Sequence, residues 1–224
     1  MAENILMIET STAQLSVALA VDGVIYYSKK STEKNTHASL CAVFIDEALK
    51  EAGIKAADLT LVAVCGGPGS YTGLRVGTSS AKGICFGAKV PLVSVPTTDI
   101  LVQAAIGRTN ADFIVPMIDA RRMEVYSAVY SNAGKRLSDT EAVIVDENSY
   151  SAYQGTKCFI GDGALKCAPV LGESNIYIEA YPEAEDMLEL AKERFAAGKT
   201  EDVAYFEPFY LKDFVVTESK KKLF

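Results

Sequence analysis

The chain has 224 residues, 49% of them hydrophobic, and its formal net charge of -7 goes with a sequence pI of about 4.9. The apolar content suffices for a large core, and the length fits one or two domains. The negative charge leaves no broad basic surface that could neutralise phosphates, so independent binding of nucleic acid is not expected. The one basic run, residues 220–222, is interpreted as a solvated tail.

The cysteines predict a reducing environment. Their number is odd, no C-x-x-C pair is present, and three lie inside apolar segments where a reduced thiol packs as a small hydrophobe. The start of the chain is acidic, and no apolar run approaches the roughly 20 residues of a membrane-spanning helix. We therefore expect a cytoplasmic protein that is neither secreted nor inserted in a membrane. The cysteines are Cys41, Cys65, Cys85, Cys158 and Cys167.

Three antiparallel strands are predicted at the start of the chain. Residues 5–8 (ILMI) and 15–21 (LSVALAV) are β-prone and are separated by the polar turn ETSTAQ. The pair Asp22-Gly23 then turns the chain into a third run, VIYY.

Helices and strands alternate after this hairpin. Apolar residues recur at helical spacing over residues 36–52, with Gly53 as a stop. Residues 59–65 (LTLVAVC) are apolar on both faces, as in a central strand covered by helices on each side. A glycine-rich turn, a helix to about Phe86, the strand PLVSV and a helix over residues 97–106 follow. The predicted order of the first half is β-β-β-α-β-α-β-α.

The second half begins like the first. Residues 7–9 (MIE) fall on residues 117–119 (MID), 110 residues later, and the same gapless register places Leu15 on Val125. Any two hydrophobic hairpins look alike, so the hairpin pattern alone leaves duplication undecided. The shared carboxylate at the strand end and the gapless register favour it. We predict two α/β domains, residues 1–104 and 105–224, with a final helix over about residues 183–197.

The segment GGPGSYTGLRVG, residues 66–77, joins a buried strand to a helix through glycines that permit close backbone approach. Alone, it resembles a phosphate cradle at a helix N-terminus. It is not a Walker loop, because no GK[ST] follows Gly69 and the first cationic side chain is Arg75.

Together with ILMIETS, THASL, PLVSVPTTD, MIDARRMEVY, GDGA and EPFYLKD, this motif resembles the TsaB (YeaZ) family along nearly the whole chain. The resemblance implies the fold of the actin, Hsp70 and sugar-kinase superfamily. Each of the two similar actin/Hsp70-like (ribonuclease H-like) halves would hold a mixed sheet flanked by helices, with the second half reduced. Several of the motifs also resemble TsaD, a paralogue in the same superfamily.

The departures from TsaD-like sequences concern a metal site. Two histidines four residues apart in TsaD-like chains correspond by position to Thr97 and Leu101, and the chain has a single histidine. The TsaD-like motif ETSCDD is ETSTAQ here, so Ala13 and Gln14 stand where carboxylates would be. No metal is expected.

A second set of departures concerns the nucleotide. The glycine pair of the second hairpin turn is replaced by Ala120 and Arg121, whose side chains would crowd a phosphate. We expect no cofactor, no catalytic residues and no enzymatic activity, so that the chain would be a pseudoenzyme subunit.

Few residues are candidates for catalysis. His37 is the one potential imidazole base, Ser70, Ser79 and the cysteines are the obvious potential nucleophiles, and no spacing suggests a triad. Glu9 and Asp119 either face each other across an interdomain cleft or cap their hairpin turns, and we favour capping.

The second helix presents a stripe of small residues at four-residue spacing, Gly73, Gly77 and Ala81. Glycines inside a helix cost roughly 1 kcal/mol each relative to alanine, and close approach of another helix would offset that cost. The stripe predicts a helix-on-helix interface, although packing inside the chain's own domain remains open. The predicted partner-binding residues are His37, Leu40, Cys41, Phe44, Tyr71, Thr72, Gly73, Arg75, Val76, Gly77, Ser80, Ala81 and Ile84.

The resemblance implies that TsaB-like proteins dock TsaD through these helices, can self-associate through the same patch, and work with the ATPase TsaE. The chain would then support the transfer of a threonylcarbamoyl group to tRNA adenosine without carrying out that chemistry. Two enzyme hypotheses compete with this one: an autonomous ATP-dependent kinase or ATPase of the same fold, and a peptidase.

Overall fold

The computed structural model describes residues 3–212, which form two mixed sheets flanked by helices. The first sheet has the order β3-β2-β1-β4-β5, with an antiparallel meander of β1 to β3 and parallel pairing of β1, β4 and β5. These strands are β1 (Asn4–Glu9), β2 (Leu15–Val21), β3 (Val24–Ser31), β4 (Leu61–Cys65) and β5 (Leu92–Val95).

The meander follows from its turn chemistry and its apolar strands. Asp22 and Gly23 have φ values of 50° and 79°, the left-handed pair that a two-residue hairpin turn requires. Every residue of β1 and β4 is buried, since these two central strands are covered on both faces. The predicted three-stranded start and the predicted central strand are confirmed.

The helices of the first half are α1 (His37–Glu51), α2 (Tyr71–Ala88) and α3 (Thr97–Ala105), of which α1 and α2 pack on this sheet. A 3-10 turn, Ala56–Asp58, precedes β4, which begins two residues after the predicted strand start at residue 59. The predicted bounds of the helices in this half are confirmed to within two residues.

The second sheet repeats the plan of the first. Its order is β11-β10-β6-β7-β9, with antiparallel β6, β7 and β9, and parallel β6, β10 and β11. The helix α4 (Ala164–Leu171) follows β10 as α2 follows β4. The strands are β6 (Phe113–Asp119), β7 (Glu124–Ser127), β8 (Tyr130–Ser131), β9 (Glu141–Ile144), β10 (Lys157–Ile160) and β11 (Ile176–Ile178).

This repeated topology confirms the predicted fold class, including the reduced second half. Residues 145–156, between β9 and β10, form turns where the first half has α1. The gapless register is wrong for the second strand of the hairpin. Glu9 pairs with Ser16, whereas Asp119 pairs with Val125, so the second turn is one residue shorter.

The C-terminal part of the described chain returns to the first half. The predicted helix over residues 183–197 is a 3-10 turn, Ala184–Met187, followed by α5 (Leu188–Ala196). Met187 and Ala191 are buried in the core of the first sheet, while Leu101 of α3 lies in a core of the second half. The two halves therefore exchange elements, and the division after residue 104 stays a prediction.

Two further observations concern the chemical environment. All five cysteines are buried and none forms a disulfide. Among residues 3–212, no helix has the length and apolar character needed to cross a bilayer.

Candidate functional site

The glycine-rich turn between β4 and α2 is filled by the chain's own backbone. At three of its glycines, an added Cβ would lie far inside van der Waals contact with a carbonyl oxygen of this chain, which only glycine avoids. The distances from the Cβ position to the oxygen are 2.6 Å for Gly67 and Phe209, 2.3 Å for Gly69 and Ser11, and 2.0 Å for Gly73 and Thr10. The glycines admit the first hairpin turn and a C-terminal segment.

This arrangement does not suit a phosphate. Carbonyl oxygens carry partial negative charge and would repel an anion at the place where a phosphate cradle needs free amides. Ser70 is the N-cap of α2, and its hydroxyl accepts a hydrogen bond from the Gly73 amide at 3.3 Å. The resemblance of the turn to a phosphate site is therefore limited to its glycine pattern.

Glu9 and Asp119 cap the turns of their hairpins, as the sequence favoured. The Ser11 amide donates to Glu9 Oε1 at 2.5 Å, and the Arg121 amide donates to Asp119 Oδ1 at 2.7 Å. Asp119 is also paired with Lys166, at 2.5 Å between Oδ1 and Nζ. In both hairpins the carboxylate accepts a hydrogen bond from the backbone amide two residues later, which is a further sign of duplication.

The two capping carboxyls differ in their burial. Glu9 is fully buried, and its Oε2 atom has no hydrogen-bond partner in the described part of the chain. Loss of water raises the pKa of Glu9 from 4.5 to about 7, although hydrogen bonds from Ser11 oppose the rise. Glu9 is therefore about half protonated at neutral pH.

The second hairpin turn keeps a glycine-like backbone without glycine. Arg121 and Arg122 have φ values of 71° and 53°. Non-glycine residues reach this left-handed region at a cost of roughly 1–2 kcal/mol each. Of Ala120 and Arg121, the two positions predicted to match the glycine pair of TsaD-like sequences, Arg121 has a left-handed backbone and Ala120 does not.

The positions that match the TsaD-like histidines lie in the interior. Thr97 and Leu101 are both fully buried on α3, and Leu101 packs against the core of the second half. In residues 3–212, no group of three His, Cys, Asp or Glu side chains is placed to hold a metal ion.

The predicted partner-binding residues divide into buried and exposed sets. Thr72 and Arg75 are exposed, and His37, Leu40, Tyr71, Val76, Ser80 and Ile84 are half-buried. The remaining five are buried within the chain itself and do not form an outer surface. They are Cys41, Phe44, Gly73, Gly77 and Ala81.

The small-residue stripe of α2 faces inward. Its small residues therefore serve packing inside the chain's own domain, and the predicted helix-on-helix interface does not explain them. Gly73 and Gly77 lie against Thr10 of the first hairpin turn, and a Cβ on Gly77 would be 2.3 Å from Thr10 Oγ1. Close approach between α2 and its own sheet is what offsets the cost of these glycines. A bulky charge at Gly77 would disrupt the fold, so it could not test partner binding.

A different stripe of α2 faces outward. Ser79 is exposed, and apart from the nearby backbone of α2 itself, no atom of the described chain lies within 4 Å of a Cβ placed on Gly83 or Gly87. Phe86 is 82% exposed beside this stripe, and Val43 of α1 is 44% exposed. A shallow groove of about 520 Å³ runs between the helices, lined by Ala38, Tyr71, Thr72, Arg75, Val76, Ser79 and Ser80. We call the surface made by this groove together with Gly83, Phe86 and Gly87 the α1/α2 face.

The single histidine of the chain, His37, makes an internal contact beneath the α1/α2 face. His37 Nε2 lies 3.1 Å from the Thr12 carbonyl oxygen, which ties the start of α1 to the first hairpin turn. Deeper between the helices, Cys41 Sγ donates to Ser80 Oγ at 3.6 Å. Both contacts are internal, and they tie α1 to the first hairpin turn and to α2.

Comparisons with known proteins agree with these motifs. A family model described as TsaD, tRNA N6-adenosine threonylcarbamoyltransferase, matches residues 31–220. The tRNA threonylcarbamoyladenosine biosynthesis protein TsaB of Escherichia coli (strain K12) is 34% identical, over 94% of this chain and 95% of that protein. This chain belongs to the TsaB family. A protein of the same name from Haemophilus influenzae is 31% identical, over 94% of each chain.

A solved structure supports the TsaB fold of the chain. YeaZ from Pseudomonas aeruginosa superimposes with a TM-score of 0.83 at 26% identity, covering 93% of this chain and 100% of that one. The predicted resemblance to the TsaB (YeaZ) family is confirmed. The match to the TsaD model fits the motifs that the chain shares with TsaD.

Proposed function

We propose that this TsaB-family chain is a non-catalytic subunit required for N6-threonylcarbamoyladenosine synthesis in tRNA, and that it binds and activates TsaD through the α1/α2 face. The names of its relatives, tRNA threonylcarbamoyladenosine biosynthesis proteins, support the pathway. The observation that carries the mode of action is the outward stripe of Ser79, Gly83 and Gly87 beside the exposed Phe86.

The outward glycines need a stabilising contact that the described chain does not supply. Each glycine in a helix interior costs roughly 1 kcal/mol relative to alanine, and within residues 3–212 a Cβ on Gly83 or Gly87 would contact nothing beyond the backbone of α2 itself. A helix of a partner could approach closely over such small residues, with Phe86 as a buried anchor at the edge.

Activation needs no chemistry from this chain. Binding energy at the α1/α2 face would favour whichever TsaD conformation presents the complementary surface, and so raise its population. A second copy of the chain would compete for the same face, and TsaE would join the assembly as the family resemblance implies. The chain has a net charge of -7, so TsaD rather than this subunit would supply the main tRNA contacts.

Replacing Ser79 by arginine is expected to abolish co-purification with the same organism's TsaD. The Ser79 side chain is exposed, so circular dichroism should be unchanged, while an unpaired charge in a closed interface costs about 2–5 kcal/mol. The matched control is Ser174→Arg, which adds the same charge at an exposed position of the second half. Full retention of TsaD by Ser79→Arg would rule out docking on this face.

The competing hypothesis, an autonomous ATP-dependent kinase or ATPase, predicts nucleotide binding by the isolated chain. Because carbonyl oxygens fill the glycine-rich turn, we expect no saturable heat when ATP and magnesium are titrated into the protein. Micromolar binding together with ATP turnover would favour the enzyme instead.

A further inference from the structure

A C-terminal segment, residues 201–212, crosses the glycine-rich turn, and we call it the strap. It pairs with the edge of the first sheet through the Glu201 amide, which donates to the Leu92 carbonyl at 2.9 Å. Lys82 of α2 then donates to two strap carbonyls, those of Ala204 at 3.1 Å and Phe206 at 3.0 Å. The strap is therefore fixed along the side of α2.

The strap next reaches the turn itself and then the second half. The Phe209 amide donates to the Gly66 carbonyl at 2.8 Å, and the Phe209 carbonyl occupies the space that the missing side chain of Gly67 leaves. Gly67 has a φ of 90°, so both its backbone and its lack of a side chain serve this contact. Lys212 forms an ion pair with Glu124 at the start of β7.

One aromatic ring links the strap to the α1/α2 face. The Tyr210 ring lies against Tyr71, the first residue of α2, at 4.7 Å between centroids. The Arg75 guanidinium lies 4.1 Å from the centroid of the Tyr71 ring and donates a hydrogen bond to its hydroxyl. Tyr71 and Arg75 both line the groove. Tyr71 is thus held by Tyr210 as well as by Arg75.

We propose that the strap positions Tyr71 and Arg75 at the rim of the α1/α2 face, so that partner docking depends on Tyr210 as a positioning residue. This inference rests on the proposed function, since it concerns the same face. The strap holds the start of α2 from outside, as the first hairpin turn holds it from inside. Loosening the strap would leave the helices folded but remove the Tyr210 contact that helps to hold the Tyr71 ring beside the Arg75 guanidinium.

Two matched pairs of variants separate positioning from direct contact. Tyr210→Leu removes the ring, whereas Tyr210→Phe keeps it. Phe209→Pro removes the amide that donates to Gly66, whereas Phe209→Ala keeps that amide and removes only the side chain, which is 52% exposed. Affinity for the same organism's TsaD is measured by calorimetry. Hydrogen exchange of residues 67–76 is measured on each isolated full-length chain.

Tyr210→Leu and Phe209→Pro are expected to weaken binding about tenfold, the loss of one aromatic contact, while the two conservative variants stay within about twofold. Residues 67–76 should exchange faster in Phe209→Pro than in Phe209→Ala. The inference is overturned if all four variants bind TsaD equally well. It is also overturned if Tyr210→Phe and Phe209→Ala lose as much affinity as Tyr210→Leu and Phe209→Pro, because the side chains would then contact TsaD directly.

Unchanged exchange in Phe209→Pro would also overturn it, since the strap would then not hold the turn. Absence of TsaD binding by the wild-type chain is a different failure. It would reject the proposed function, and the exchange comparison would still decide whether the strap holds α2.

Discussion

Replacing Gly73 by alanine is expected to destabilise the protein by about 3 kcal/mol, whereas Gly83→Ala in the same helix should stabilise it by about 0.5–1 kcal/mol. Alanine favours a helix at both positions. At Gly73, however, the new methyl would lie 2.0 Å from the Thr10 carbonyl oxygen, and a backbone atom cannot move aside cheaply. At Gly83 nothing of the described chain beyond the nearby backbone of α2 itself lies within 4 Å. The measurement is urea denaturation of both variants and the wild type.

The two substitutions control for each other, because they make the same chemical change in one helix. Changes of opposite sign in the free energy of unfolding would mean that Gly73 is packed against the first hairpin turn and that Gly83 lies on an open surface. Equal stabilisation by both alanines would contradict the inward placement of Gly73, and would return it to the outer surface that the sequence first suggested.

Replacing Glu9 by glutamine is expected to raise the free energy of unfolding by about 3 kcal/mol above pH 7 and to have little effect near pH 4.5. The pKa of Glu9 is raised by burial from 4.5 to about 7, and each pH unit between these values corresponds to about 1.4 kcal/mol. The folded chain holds this proton more tightly than the unfolded chain. The contribution of Glu9 to the free energy of unfolding is therefore fully present below pH 4.5 and is lost as the pH rises through about 7. Glutamine is uncharged at every pH and avoids that loss.

The measurement is chemical denaturation of both proteins from pH 4.5 to 8. Burial also raises the pKa values of Asp162 and Asp186 to about 6, so the wild-type stability should fall more steeply with pH than Glu9 alone dictates. Glu193→Gln, at an exposed site of α5, is the matched control for the replacement of one glutamate by glutamine. Parallel curves for Glu9→Gln and the wild type would mean that Glu9 is ionised in the folded protein at little cost.

Much of the fold could be predicted because local chemistry and tertiary packing agree. The Asp22-Gly23 turn, the doubly buried strand β4 and the helices α1 and α2 each carry their own signals. The second hairpin was harder to predict. Its turn is one residue shorter than the first and Arg121 has a left-handed backbone, and nothing in the residue types shows either feature.

The orientation of α2 could not be predicted from spacing. Small residues recur every four positions on two of its faces, Gly73 and Gly77 on one, Gly83 and Gly87 on the other. Only the position of Thr10, more than 60 residues earlier in the sequence than Gly73, decides which pair is inside. The strap was missed because its contacts are made mostly by backbone atoms, which leave little trace in a sequence.

The most direct measurement is threonylcarbamoylation of tRNA by purified TsaD and TsaE of the same organism, supplied with the threonylcarbamoyl adenylate. We expect modification when the wild-type chain or Ser174→Arg is added, and a loss to background with Ser79→Arg. Modification by this chain without TsaD, or full activity with Ser79→Arg, would contradict a non-catalytic subunit that acts through the α1/α2 face.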